Sequence, residues 1–202
     1  MKRAALGFRM HSGWGVLVAV AGDAGSLEIV DRRRIVVTDP KMRGATQPYH
    51  HAATLKIQEA ESHLANCAAV SERLAVGTIE HVIHELDLRE CRIVGSAVLL
   101  ASGRPLPPLA KILAAHPLIH TAEGEFFRTA IRNACEQLKI PIQAIREREL
   151  EERMQSAFGT SVGRMQRQLE TARRSIGPPW TKDHKTAALA ALITLSALRN
   201  DG

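Results

Sequence analysis

Three apolar segments near the start of the chain, joined by turns too short for anything but hairpins, constrain the fold most. Residues 3 to 9 and 14 to 21 are rich in Val, Leu and Ala, with a tight turn at His11-Ser12-Gly13 between them. "GDAGS" marks a second turn, and "SLEIVDRRRIVVTDP" continues as a third strand that Pro40 ends. Consecutive strands connected in this way form an antiparallel meander. Successive side chains of a strand alternate between faces, so Arg32, Arg33 and Arg34 divide between the two sides of the third strand.

The rest of the chain has a different rhythm. Between about residues 50 and 87, Leu64, Cys67, Ala68 and Leu74, then Ile79, Val82, Ile83 and Leu86, recur at steps of three and four. That is the period of an amphipathic helix, with Gly77-Thr78 as the expected break and Thr78 as the cap of a second piece. "CRIVGSAVLLA" is a continuous apolar run of strand length, as expected of a strand covered on both faces. "LAKILAAH" reads as a short helix stopped by Pro117, "GEFFRTAIRNACEQLK" as a longer one, and "IPIQAIRE" as a brief strand. "ELEERMQSAFG" and "SVGRMQRQLETARRSIG" are charged helices, and "TKDHKTAALAALITLSAL" is an apolar helix after the "PPW" break.

The order three strands, helix, strand, helix, strand, helix predicts an α/β protein with a mixed five-stranded sheet and helices on both faces. The first three strands are antiparallel, and the last two arrive by right-handed helical crossovers and so pair in parallel. Residues 1 to 202 form one domain on this reading, with the helical segment at about 50–87 between the third and fourth strands.

Composition narrows the setting. Aromatics are 3% of the residues, so the core must be built from Ala, Leu, Val and Ile. Cys67, Cys91 and Cys135 lie far apart without a CxxC pair, which argues against a disulfide framework or a cysteine zinc site and for a reduced, cytoplasmic compartment. The longest apolar run is too short and too rich in Ala, Thr and Ser to span a bilayer, so no membrane is expected. A net charge of +6 favours an anionic partner such as DNA or RNA.

Short motifs at both ends sharpen the expectation. Leu6-Gly7-Phe8 lies on the first strand, Ser12-Gly13-Trp14-Gly15-Val16 opens the second, Lys139-Ile140-Pro141-Ile142 leads into the fifth, and Pro178-Pro179 precedes "KDHKTAALAAL". In this order they resemble the ribonuclease H-like fold, and within it the RuvC family of Holliday-junction resolvases. The resemblance implies a nuclease ancestry, a homodimer, and carboxylates at the sheet's centre holding two Mg²⁺ or Mn²⁺ ions about 4 Å apart. It places one acid on the first strand, one at the end of the fourth strand, and one or two on the last helix.

Those positions are mostly lost here. The first falls at Arg9, the fourth strand has no acid between Glu90 and Gly103, and the last helix keeps Asp183 but has Ala187 at the second place. No cofactor is expected unless the chain is active. The leading expectation is therefore a RuvC-like protein with a non-catalytic, nucleic-acid-binding or scaffold role. Arg32, Arg33, Arg34, Arg164, Arg167, Arg173 and Arg174 are its candidate phosphate contacts, against the plainer role of a solvated face with partners such as Glu170 for Arg174. An alternative is an active metal-dependent nuclease with a relocated site of Asp183, Glu125 and His11, in which Asp183 ligates the metal. Against it, Glu123 and Glu125 suit a helix N-terminus, and Asp183 a cap with His184 solvated. A protein-interaction subunit is the third possibility. His81 and His84 share a helix face, while His50-His51 and the pair His116 and His120 have no third partner in view.

Overall fold

The computed structural model describes residues 1–22, 26–101 and 105–197. Strands β1 (Lys2–Met10), β2 (Trp14–Gly22) and β3 (Leu27–Val36) form the meander. Helices α1 (Pro48–Ala52) and α2 (Ile57–Leu88) lead to β4 (Cys91–Leu100). Helices α3 (Leu109–Leu113) and α4 (His116–Gln137) lead to β5 (Ile142–Arg146), and α5 (Leu150–Phe158), α6 (Val162–Ala172) and α7 (Lys182–Ala197) complete the chain. The sheet runs β3-β2-β1-β4-β5. The pairs β1–β2 and β2–β3 are antiparallel, and β1–β4 and β4–β5 are parallel, as expected from the element order. Phe8 lies opposite Val98, and Val98 opposite Ala144.

Period-two alternation sorts each strand between two cores. Leu6, Phe8 and Met10 face α2 and α4, where they pack with Ile79, Val82, Phe127 and Ile131. Ala5 faces the other way, toward α7, with Val16, Val18, Ala187 and Ala191. Phe8 and Phe127 are wholly buried, each contributing on the order of 2–3 kcal/mol by removal of apolar surface from water. Beyond its charged first turn, helix α7 is buried on nearly all sides between the sheet and α5 and α6, which explains the small, apolar sequence from Thr186 to Leu195.

Three boundaries differ from expectation. The long helix α2 runs unbroken through Gly77, because Thr78 returns its hydroxyl to the Leu74 carbonyl at 2.8 Å and no orphaned helix end arises. Pro117 does not stop a helix but starts one: it occupies the first turn of α4, where a missing N–H costs nothing. Glu123 and Glu125 consequently lie well inside α4 and not at its N-terminus, so the macrodipole does not account for them. Strand β3 ends at Val36, four residues before Pro40, as the chain turns under Gly13.

Candidate functional site

The parallel strands β1, β4 and β5 point their carboxyl ends in one direction, and ligand crevices of open α/β sheets lie at such ends. Here the ends open onto a cleft of about 320 Å³ bordered by Arg9, His11, His50, His120, Glu123, Arg128 and Glu147. Strand parity decides what enters it. Arg9 shares the face of Ala5 and Gly7, toward α7, and is the last residue but one of β1.

The Arg9 guanidinium stands between two carboxylates. Its Nη1 donates to Glu147 Oε2 at 2.9 Å, and its Nε lies 3.4 Å from Asp183 Oδ1. His11 Nε2 is 2.9 Å from the other Asp183 oxygen, and Lys182 Nζ is 3.4 Å from the other Glu147 oxygen. Burial works to raise the Asp183 pKa, but the hydrogen bond and charge of His11, then Arg9, outweigh it and hold the carboxyl below its ordinary value. The His11 ring is further fixed by stacking on Trp14 at 4.4 Å between centroids.

A second guanidinium closes the floor of the cleft. Arg128 is only 7% exposed, and its Nε donates to the Leu99 carbonyl at 2.9 Å. Among the described residues no carboxylate lies within ion-pair distance of it. Burial lowers its pKa, the charge of Glu125 opposes this, Arg9 adds to it, and Glu147 opposes it. At the far end, buried Glu123 accepts the Tyr49 N–H at 3.1 Å and lies 3.4 Å from His50 Nδ1. Burial raises the Glu123 pKa, with the charge of His50 and the Tyr49 N–H pulling the other way. Helix α1 carries His50 against His116 and His120 of α4, so residues that appear as separate pairs in the sequence meet in space.

The expected site residues divide accordingly. Asp183 and His11 come together, and Asp183 serves its neighbours across the cleft. Glu125 does not join them: it pairs with Arg132 at 3.2 Å and lines a separate hollow with Tyr49, Glu72 and Asn133. His184 is not solvated but buried, accepting the Thr181 N–H on Nδ1 at 3.1 Å. Arg33 faces α2 and pairs with Asp31 and Glu85, whereas Arg32 and Arg34 face the other side. Arg34 lies over the Trp14 ring. Arg173, in place of Arg174, pairs with Glu170; Arg164, Arg167 and Arg174 are exposed.

Arg32 has a structural task. It donates to the carbonyls of Gly177, Pro178 and Pro179, tying the break before α7 to β3. Arg32→Ala is expected to lower stability by about 1–2 kcal/mol, because those carbonyls lose a charged donor. Chemical denaturation and proteolysis of the 176–181 segment read the change.

Glu147 was not among the expected residues. Its signal was position: an acid directly after the last parallel strand stands at the same edge as the end of β1.

A pair of divalent cations does not fit these residues. The guanidinium of Arg9 occupies the space between Asp183 and Glu147, and residues 96 to 100 of β4 offer no carboxylate. At Ala187 the α7 backbone sits directly on Gly7 of β1.

Two solved structures share this arrangement of elements. Thermus thermophilus RuvC in complex with a Holliday junction substrate superposes with a TM-score of 0.51 at 12% identity, over 98% of this chain and 96% of that one. A second Thermus thermophilus RuvC structure gives 0.50 at 13% identity, again over 98% and 96%. The fold is that of RuvC. No protein-family model matches the sequence, and neither does any curated protein. At such identities the RuvC likeness concerns the fold, and the side chains in the cleft carry the functional argument. Among the described residues no helix is long and apolar enough to cross a membrane.

Proposed function

We propose that this RuvC-like chain binds nucleic acid across the cleft, in the cytoplasm and as a homodimer, and does not cleave it by two-metal chemistry. The observation that carries the reading is Arg128: a buried guanidinium at the cleft floor with no carboxylate partner among the described residues. A buried cation without an anion is costly, and a phosphate compensates it with charge-assisted, bidentate bonds. Arg9 is different, because Asp183 and Glu147 already neutralise it and leave no gap for a metal. Exposed Arg164, Arg167 and Arg174 supply further phosphate contacts. The fold neighbour solved on a Holliday junction makes a four-way junction the first ligand to test.

Arg128→Met is expected to weaken junction binding about tenfold or more at fixed salt in fluorescence anisotropy. Folding stability is expected to change little, because the substitution removes an unpaired buried charge. Replacing Arg164, Arg167 and Arg174 together by Ala is expected to reduce the slope of log affinity against log salt by about two to three. Binding that ignores Arg128→Met sinks the reading.

The His11–Asp183 hydrogen bond favours a second reading, in which the cleft is an active nuclease relocated from the family's positions. An imidazole oriented by a carboxylate is the arrangement of a general base. Junction cleavage in Mn²⁺ or Mg²⁺ that Asp183→Asn abolishes supports that reading in place of the first.

A further inference from the structure

We propose that His50, His116 and His120 form a binding site for a zinc-class divalent ion, separate from Asp183 and Glu147 and independent of whether the cleft binds nucleic acid. One nitrogen from each of the three rings lies within 4.8 Å of the other two. The ring centroids are 5.5 Å apart for His50 and His116, 4.8 Å for His50 and His120, and 4.4 Å for His116 and His120. Three imidazoles are the protein ligand set of open zinc sites, and imidazole selects zinc, copper, nickel and cobalt over magnesium or calcium.

Local structure preorganises two of the ligands. His116 and His120 are four residues apart at the start of α4, on one helix face, and Pro117 fixes that first turn. Their Nε2 atoms are 2.9 Å apart. With metal–nitrogen bonds of about 2.0–2.1 Å, neighbouring ligand nitrogens stand roughly 2.9 Å apart in octahedral and 3.3 Å apart in tetrahedral coordination. The pair already has the octahedral spacing, and His50, whose nitrogen lies within 4.8 Å of both, closes the set with a shift of at most about 1.5–1.9 Å on the same geometry.

A second, independent feature stands behind the rings. Glu123 is 3% exposed, its Oε1 has no hydrogen-bond partner, and its Oε2 lies 3.4 Å from His50 Nδ1. His50 Nδ1 is likewise buried and makes no hydrogen bond, with Glu123 Oε2 as the carboxylate beside it. A metal on His50 Nε2 requires the proton on Nδ1, and a carboxylate at that nitrogen fixes this tautomer and strengthens the ligand. Glu123 is therefore a positioning residue, buried one turn beyond His120 on α4. His50 and His120 border the cleft, so water or an anion held there completes the coordination.

The test is zinc titration of the tag-free, full-length protein, by calorimetry and by competition with a chromogenic chelator. Cobalt substitution is read by its visible absorption. One ion per chain is expected, with a raised melting temperature and an absorption spectrum that His120→Ala and His116→Ala remove. Both side chains are exposed, so these variants keep the fold, and circular dichroism confirms it. Glu123→Gln keeps an acceptor for the Tyr49 N–H and is expected to weaken zinc 10- to 100-fold. Binding unchanged in His120→Ala, or no binding of zinc alone, overturns the proposal. An unaltered affinity in Glu123→Gln overturns the role of the carboxylate.

Discussion

Replacing Arg9 by Met is expected to lower the unfolding free energy by about 2–3 kcal/mol at neutral pH, and the loss is expected to vanish in acid. Removing one member of a fully buried ion pair costs on the order of 3–5 kcal/mol, because the partner remains as an uncompensated charge. Here the carboxylates are 23% and 27% exposed, and His11 and Lys182 stay behind as partial substitutes, so the smaller figure applies. The pH dependence follows from Asp183. Burial opposes its ionisation, but His11 and Arg9 together hold its pKa below the ordinary value. A depressed carboxyl contributes stability above its unfolded-state pKa, near 3.9, and loses it as pH falls through the lower folded value. Arg9→Met removes one of the two partners responsible, so parent and variant converge in that acidic window and diverge above it. Urea denaturation at pH 7 and pH 3 measures both limbs. A variant as stable as the parent at pH 7 means that the guanidinium does not bridge the two acids.

The same ion pairs show what was legible in the sequence. The strand order, the meander and the parallel crossovers follow from period and turn chemistry, and those signals are local. The absence of an acid at Arg9, along β4 and at Ala187 was equally visible, since each is a single residue in a recognisable place. The partners those positions meet were not visible. Glu147 meets Arg9 through the parity of β1 and the end of β5, elements more than 130 residues apart. His50 meets His116 and His120 because α1 packs across the first turn of α4, and Pro117 suggested the opposite boundary for that helix. Arg33 of β3 pairs with Glu85 of α2, and neither partner carries a motif. Salt bridges of this kind follow from tertiary placement, and a spacing rule within one element cannot find them.

The largest single effect is expected from the smallest side chain, at Gly7. Gly7→Ala is expected to cost about 3–5 kcal/mol, more than most single substitutions, because its Cβ meets backbone and not a movable side chain. An atom there would stand 1.9 Å from the Ala187 carbonyl oxygen and 2.8 Å from its carbon. The Ala191 nitrogen, at 3.0 Å, blocks escape along the helix. Relief requires α7 to lift from β1 by roughly an ångström, which strips Ala187, Ala188 and Ala191 of close contacts that packed cores do not replace. The displacement also reaches the cleft, since Asp183 is carried on the first turn of the same helix. Lifting α7 draws Asp183 away from Arg9 and His11, so the effects of Gly7→Ala and Arg9→Met are expected to be less than additive in a double-mutant cycle. A cost below about 1 kcal/mol for Gly7→Ala contradicts the close approach of α7. Strict additivity contradicts the coupling, and with it the view that one helix both seals the sheet and aims the carboxylate that holds Arg9.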